Sequence, residues 1–316
     1  MTMRIAAVQA APVLLDRAGT IEKARGLIRE AGQGGARLVV FPEAFVPGYP
    51  LWAWQIPPKE NRLLTDLYGK LVEESVAVPG PEIDWLAEAA QDAGVYVAIG
   101  VNETNVEASG ATLYNTLVYL GPDGQLMGKH RKLVPTAAER LIWAAGDGST
   151  LDAYDTQIGK LGGLICWENY MPLARYAMYC WGVQIFLAPT WDEGEPWLST
   201  LRHVGKEGRC YVVGCSIAMY KDHIPAGAAF ESYYANVEGW FKKGDTAIVD
   251  PDGKFIAGPV REKEEIVYAD LSTEAMRGPK WKLDVAGHYA RPDVFRLIVD
   301  KTPRKMLEWT RCDLNQ

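Results

Sequence analysis

No stretch of this 316-residue chain approaches the roughly 18 consecutive apolar residues that a membrane-spanning helix needs. The opening MTMRIAAVQAAPVLL has a lone Arg4 and small residues, but Gln9 interrupts its apolar character, so it reads as a first strand and not as a secretory leader. Histidine is scarce. The four present show no HExxH or comparable spacing, so no metal site is expected; no cofactor is expected either. The five cysteines, Cys166, Cys180, Cys210, Cys215 and Cys312, are odd in number and contain no CxxC pair, which suggests free thiols in a reducing compartment, the cytoplasm. Positive charge is also short: 33 Lys and Arg against 40 Asp and Glu leave a net charge of -7. Such a chain has no general attraction to phosphate backbones or anionic lipid, and no nucleic-acid or membrane partner is expected.

What is present is an ordinary core-forming composition, 48% hydrophobic and 23% charged, typical of a folded globular protein. Short β-rich apolar runs alternate with helical patterns, which argues for an α/β fold. The spacing predicts strands over Ile5–Val8, Leu38–Phe41, Val95–Val101, Thr116–Leu120, Gln125–His130, Leu161–Ile165, Gln184–Ala188, Tyr211–Ser216, Thr246–Val249 and Glu265–Ala269. Helices are expected over Thr20–Gln33, Ile83–Ala93, Pro172–Cys180 and Trp197–Gly208. Two stretches, NTLVYLGPDGQLMGKH and DTAIVDPDGKFIAGP, place Pro-Asp-Gly between extended runs, the chemistry of a hairpin turn. Hairpins require antiparallel pairs, so the sheet cannot be purely parallel. Their recurrence points either to two sheets with internal pseudo-symmetry or to repeated use of a common turn.

Two regions differ from this body. Pro47–Pro58 (PGYPLWAWQIPP) is rich in Pro and Trp and is expected to be an ordered loop, neither helix nor strand. From Ser272 onward nine Lys and Arg face six Asp and Glu. The chain therefore divides into a body over 1–271 and a basic C-terminal extension over 272–316, which is either a solvated tail or a segment that docks at a subunit interface.

Three polar residues stand at the ends of apolar strands: Glu43 after Leu38–Phe41, Lys132 after Gln125–His130 and Cys166 after Leu161–Ile165. Strand ends are where α/β sheets place their ligand crevices, and the three converge if their strands are neighbours. Singly, each has a common structural explanation: an inert buried thiol, a loop glutamate in water, a lysine on a basic face. Cys166, however, lies between a strand and a helix. There a helix N-terminus favours the thiolate and the Trp167 N–H can donate to a developing oxyanion. Gly162 and Gly163 permit close backbone approach before it. Apolar flanks place Glu43 at the edge of the core, where burial raises a carboxyl toward the range of a general base. A lysine beside the thiol would stabilise both the thiolate and a tetrahedral intermediate. Glu139, in Thr136–Glu139, fits a helix cap reaching back to the Thr136 N–H. The aromatic residues Tyr49, Trp52, Trp54, Trp143 and Trp191 are core side chains or walls of an apolar site. His203 and His288 have no spacing that suggests a Cys-His dyad.

The stretches RIAAVQAAP, FPEAFVPGYP, HRKLVPTAAERLIWAAGDG, GGLICWENYMPLAR, LAPTWD and GHYARPDVFRL, taken in order along nearly the whole chain, resemble the nitrilase superfamily of carbon–nitrogen hydrolases, and its true nitrilase branch most closely. The resemblance implies a four-layer α-β-β-α sandwich with mixed sheets, assembled as a homo-oligomer from dimers that can extend into spirals. It implies that Glu43 is the general base, Lys132 the intermediate-stabilising lysine, Cys166 the nucleophile and Glu139 a second glutamate positioning Lys132 and substrate. Trp167, Tyr49 and Trp191 are expected around the substrate. The implied reaction is hydrolysis of a small organic nitrile with water through a thioimidate and a thioester. An amidase or carbamoylase with the same triad comes second, cyanide hydration or hydrolysis third, and a non-catalytic scaffold last. The aromatic loop favours aryl or arylaliphatic nitriles. Where the family often carries Trp-Gly, this chain has Trp143-Ala144-Ala145, a change expected to alter loop packing and not reaction type.

Overall fold

A computed structural model describes residues 2–272 and 274–307; Cys312 lies outside them. The first sheet contains β1 (Thr2–Gln9), β2 (Ala36–Val40), β3 (Tyr96–Thr104), β4 (Leu113–Leu120) and β5 (Leu126–Arg131). The second contains β6 (Ala153–Tyr154), β7 (Leu161–Gly163), β8 (Ile185–Thr190), β9 (Tyr211–Ser216), β10 (Ala218–Tyr220), β11 (Trp240–Val249) and β12 (Phe255–Arg261), and β13 (Glu265–Ser272) returns to pair with β1. Five α-helices accompany them: α1 (Arg17–Gln33), α2 (Asn61–Glu74), α3 (Pro81–Ala93), α4 (Pro172–Cys180) and α5 (Glu195–Gly208). Local sequence sets their ends. Asp16 caps α1 by accepting the Gly19 N–H at 2.8 Å, and α3 starts on Pro81 and stops at Gly94, whose φ of 65° is left-handed.

Alternation along the strands builds the layers. Ile5, Ala7, Leu38, Val40 and Ala98 of the first sheet meet Leu161, Ile185, Leu187 and Val213 of the second. The intervening residues Ala6, Val8, Val39 and Ile99 face the other way, onto Ile21, Ala24 and Ile28 of α1 and Ile83, Leu86 and Ala90 of α3. In the second sheet Phe186, Ala188 and Val212 likewise meet Met178 of α4 and Trp197, Leu201 and Val204 of α5. Strands covered on both faces read as continuous apolar runs, and each fully buried large aliphatic contributes about 1.5–3 kcal/mol. The result is the expected α-β-β-α sandwich.

The two sheets repeat one plan. In the first the order is β13-β1-β2-β3-β4-β5, with β1, β2 and β3 parallel and the outer strands antiparallel. In the second, β6-β7-β8-β9-β11 continues to β12, with β7, β8 and β9 parallel. Each Pro-Asp-Gly turn joins the last two strands of this plan, β4 to β5 and β11 to β12. Pseudo-symmetry, and not chance reuse of a turn, accounts for their recurrence.

Some elements differ from the sequence-based expectation. The Pro47–Pro58 segment contains one 3-10 turn, Leu51–Trp54. Helix α2 was not anticipated, because only Leu67 and Leu71 of it are fully buried and its apolar stripe is correspondingly narrow. Strand β7 ends at Gly163, two residues short of the predicted Ile165, as the chain leaves the sheet for a 3-10 turn over Cys166–Tyr170. From Ser272 the described part of the extension runs over the chain's own body. Leu297 and Val299 pack on the α4–α5 layer, Lys301 pairs with Asp152 at 2.6 Å and the Arg304 N–H donates to Asp147 at 2.7 Å.

Candidate active site

Glu43 lies three residues beyond β2, on a segment that runs against β3: Phe41 N–H donates to the Ala98 carbonyl at 2.8 Å and Val46 N–H to the Gly100 carbonyl at 3.1 Å. This crossing depends on Gly100. A Cβ there would lie 2.3 Å from the Pro42 carbonyl oxygen and 2.4 Å from the Ala44 nitrogen, so any side chain would displace the glutamate's backbone. Lys132 follows β5 directly, and its N–H continues the ladder by donating to the Asn115 carbonyl at 2.8 Å. Cys166 opens the Cys166–Tyr170 turn. Gly163 precedes it where a Cβ would fall 2.2 Å from the Leu187 carbonyl oxygen, the close approach anticipated from the Gly162-Gly163 pair. Positive φ at non-glycine residues marks all three loops of the site: Ala44 at 48°, Ala137 at 46° and Cys166 at 52°. L-residues adopt such angles at a cost of about 1–3 kcal/mol when the surroundings enforce them, commonly at functional sites.

The strands bearing these residues are not neighbours. β3 and β4 separate β2 from β5, and β7 belongs to the other sheet. Convergence comes instead from the facing of the two sheets at one end of the sandwich. There the Lys132 ammonium sits 2.6 Å from Glu43 Oε1 and 2.7 Å from Glu139 Oε2, and the three side chains are at most 2% exposed. Asn115 Nδ2 also donates to Glu43 Oε1 at 2.7 Å, and the Trp191 N–H to Oε2 at 2.8 Å. Glu139 accepts from the Tyr49 hydroxyl and the Thr136 N–H, both at 2.7 Å. It therefore caps its turn, as its sequence position suggested, and holds the lysine as well.

Burial is the largest influence on the ionisation of Glu43, Lys132 and Cys166. Burial pushes Glu43 above the ordinary carboxylate value, although Lys132 opposes it. Burial would lower the Lys132 ammonium, but Glu43, Cys166 and Glu139 together raise it, so it stays charged. Burial, then the negative charge of Glu43, pushes the Cys166 thiol well up against the pull of Lys132 and the Thr190 hydroxyl. The thiol is therefore protonated at neutral pH, and the pull toward the thiolate from its strand-to-helix setting is outweighed. A five-residue 3-10 turn supplies too small a dipole to offset desolvation.

Cys166 and Glu139 open on a cavity of about 220 Å³ walled by Tyr49, Trp54, Trp167 and Trp191, with Thr136, Asp192 and Lys242 completing its rim. Tyr49 stacks on Trp191 with ring centroids 4.1 Å apart and an angle of 6°, and Trp143 meets Tyr49 edge-on at 5.5 Å. Trp167 is half exposed and its indole N–H donates to Asp192 at 2.8 Å. Its backbone N–H, second in the 3-10 turn, has no acceptor within that turn. Among the described residues no group of three His, Cys, Asp or Glu side chains gathers as a metal site requires.

The model of the carbon–nitrogen hydrolase family matches residues 4–279. The chain is 46% identical over 307 residues to an aliphatic nitrilase of Sinorhizobium fredii, covering 95% of this chain and 96% of the relative. It is 41% identical over 313 residues to nitrilase 1 of Arabidopsis thaliana, covering 96% and 88%. The chain belongs to the carbon–nitrogen hydrolase family. Its relatives place it in the nitrilase branch. Its fold is that of Saccharomyces cerevisiae Nit3, with a TM-score of 0.72 at 22% identity over 91% of this chain and 96% of that one.

In this carbon–nitrogen hydrolase the structure brings together all seven site residues expected from sequence: Glu43, Lys132, Glu139, Cys166, Tyr49, Trp167 and Trp191. Among the described residues no histidine lines the cavity, and His203 lies on the exposed face of α5, 3.4 Å from Glu207. The Trp143-Ala144-Ala145 departure leaves its loop tied to the site, through Ala144 N–H to the Leu113 carbonyl at 2.9 Å and Gly146 N–H to the Lys132 carbonyl at 2.8 Å. Sequence reasoning missed Asn115, which lies one residue before the predicted Thr116–Leu120 strand and inside the longer β4, and Asp192 and Lys242, which only the tertiary fold brings to the rim. Trp54 belongs to the aromatic Pro47–Pro58 loop. The structure gives it a specific part, donating from its indole to the Tyr49 oxygen at 2.9 Å.

Proposed function

We propose that this chain is a nitrilase that converts a small organic nitrile and two waters into a carboxylic acid and ammonia. The observation that carries this reading is the buried Glu43–Lys132–Glu139 chain set beside a protonated Cys166 at the floor of an aromatic cavity. The nitrilase names of the relatives supply the substrate class. Glu43, held above its ordinary value by burial, takes the thiol proton as Cys166 attacks the nitrile carbon. The Lys132 ammonium, fixed by two carboxylates, faces the charge that develops on nitrogen. That nitrogen takes the proton from Glu43, giving a thioimidate and freeing the carboxylate to activate a water; as the water adds, its proton passes through Glu43 to nitrogen and the tetrahedral adduct expels ammonia. A second water then releases the acid from the thioester. Faces of Tyr49, Trp54, Trp167 and Trp191 suit an apolar substrate, the aryl or arylaliphatic class foremost.

The test is ammonia release from phenylacetonitrile, benzonitrile, an aliphatic dinitrile and cyanide, each organic nitrile beside its amide. Ammonia and acid from nitriles, with the amides turned over far more slowly, are the expected result. Turnover of amides alone would replace this reading with an amidase.

We also infer a cytoplasmic homo-oligomer built from dimers, with the extension after residue 271 taking part in the subunit contact. Cys166, Cys180, Cys210 and Cys215 are unpaired, which suits a reducing compartment. Trp281, Phe295 and Ile298 of the extension expose 76%, 76% and 87% of their surface, apolar area that a partner would cover. Light scattering should give a dimer or larger, and removal of residues 272–316 should shift it toward smaller species. A wild-type monomer at micromolar concentration would overturn this.

A further inference from the structure

Glu168, two residues beyond Cys166, takes no part in the chemistry above and does not line the cavity. Its side chain is nevertheless fully buried, as is that of His130 at 2% exposure. One carboxylate oxygen, Oε2, accepts the Ile165 N–H at 2.7 Å, and the other, Oε1, accepts the Leu133 N–H at 2.6 Å. Ile165 and Leu133 are the chain neighbours of Cys166 and Lys132. A single carboxylate thus joins the segment bearing the thiol, which follows β7 of the second sheet, to the segment bearing the ammonium, which follows β5 of the first. His130 Nε2 lies 3.2 and 3.0 Å from the two oxygens and holds the carboxylate in place. Burial pushes Glu168 up, but His130 and the two N–H donors bring it below the ordinary carboxylate value, so it is ionised.

A carboxylate buried against an imidazole is a poor way to add stability, since apolar replacements of similar volume are often as stable or more so. An apolar pair would not, however, bind two backbone N–H groups chosen from two sheets. The Cys166 backbone needs such restraint. Its φ is 52°, and Asn169 Nδ2 restrains the same turn from the other side, donating to the Leu164 and Cys166 carbonyls at 2.9 and 2.8 Å.

We propose that Glu168, oriented by His130, is a positioning residue that sets the separation of the Cys166 thiol from the Lys132 ammonium across the join of the two sheets. The proposal rests on the roles given to Cys166 and Lys132 above. Glu168→Gln replaces one acceptor oxygen by an NH2 group that must face a backbone N–H or the imidazole. His130→Leu leaves both carboxylate–backbone bonds possible and removes only what orients them. Because a misplacement near 1 Å can cost about 100-fold, each folded variant is expected to lose roughly 30- to 300-fold in kcat on a nitrile. KM should change less than about threefold, since substrate contacts are untouched.

A second readout does not depend on the nitrilase reading. The rate at which iodoacetamide alkylates Cys166, followed by mass spectrometry of its peptide from pH 6 to 10, should move to higher pH in both variants as Lys132 couples less well to the thiol. If the wild-type protein turned over no nitrile, that reading would fail while the alkylation profile still tested this one. A kcat within twofold of wild type per folded molecule, or an unmoved alkylation profile, would overturn the proposal. Failure of both variants to fold would do so equally, by assigning the pair to stability.

Discussion

Cys166→Ala is expected to abolish nitrile turnover, by a factor on the order of 10⁴ or more, the scale seen when a covalent nucleophile is removed from an otherwise intact site. The fold should survive. The resting thiol is uncharged, because burial and Glu43 push it up, so the substitution removes a neutral sulfur and leaves no orphaned ion. Ala is also no more strained than Cys at a φ of 52°. The cost in stability should therefore be below about 1 kcal/mol, read by denaturant unfolding. Turnover by the Ala variant within a hundredfold of wild type would exclude Cys166 as the nucleophile. Unfolding of the variant would instead show that the sulfur's packing, and its Thr190 contact, matter more than its charge state allows.

Lys132→Met has the opposite signature, because it strands charge. Glu43 Oε1 and Glu139 Oε2 lie 2.6 and 2.7 Å from the ammonium, and without it two buried carboxylates face each other. Breaking a buried pair in this way costs about 3–5 kcal/mol at neutral pH, and kcat should fall by about 10³ or more as the intermediate loses its cation. The pH dependence follows from the direction of the Glu43 shift. Burial already holds Glu43 above its usual value while Lys132 opposes it, so removing Lys132 raises it further. The folded variant then binds a proton that the unfolded chain, with carboxyls near pKa 4.3, has released. Stability must fall as pH rises through that interval. The deficit relative to wild type should be smallest near pH 5 and grow toward pH 8. A deficit of equal size across that range, measured by urea titration at each pH, would show that the two carboxylates do not share the lysine's charge.

These two residues also show how much of the site is legible in the sequence. Glu43, Lys132 and Cys166 were visible because each ends an apolar strand, a one-dimensional signal. Glu139 was visible locally only as a cap, through its reach to the Thr136 N–H. That it also binds Lys132 follows from the fold, since the same oxygen accepts both at 2.7 Å. Glu168 gave no distinguishing local sign. Its reach back to Ile165 has the spacing of a capping box, but Ile165 has no side-chain acceptor to complete one, and its Leu133 bond spans 35 positions.

Periodicity and turn chemistry within a few residues were enough to set most of the alternation of strands and helices, the two Pro-Asp-Gly hairpins and the chemical character of the residues at the strand ends. Tertiary structure alone decided how the strand ends meet. They converge across two facing sheets and not along neighbouring strands, and that facing is set by burial of both sheet faces, a property of no single segment. It also decided the protonation of Cys166: a local view favours the thiolate, but desolvation by the assembled core outweighs one short turn's dipole.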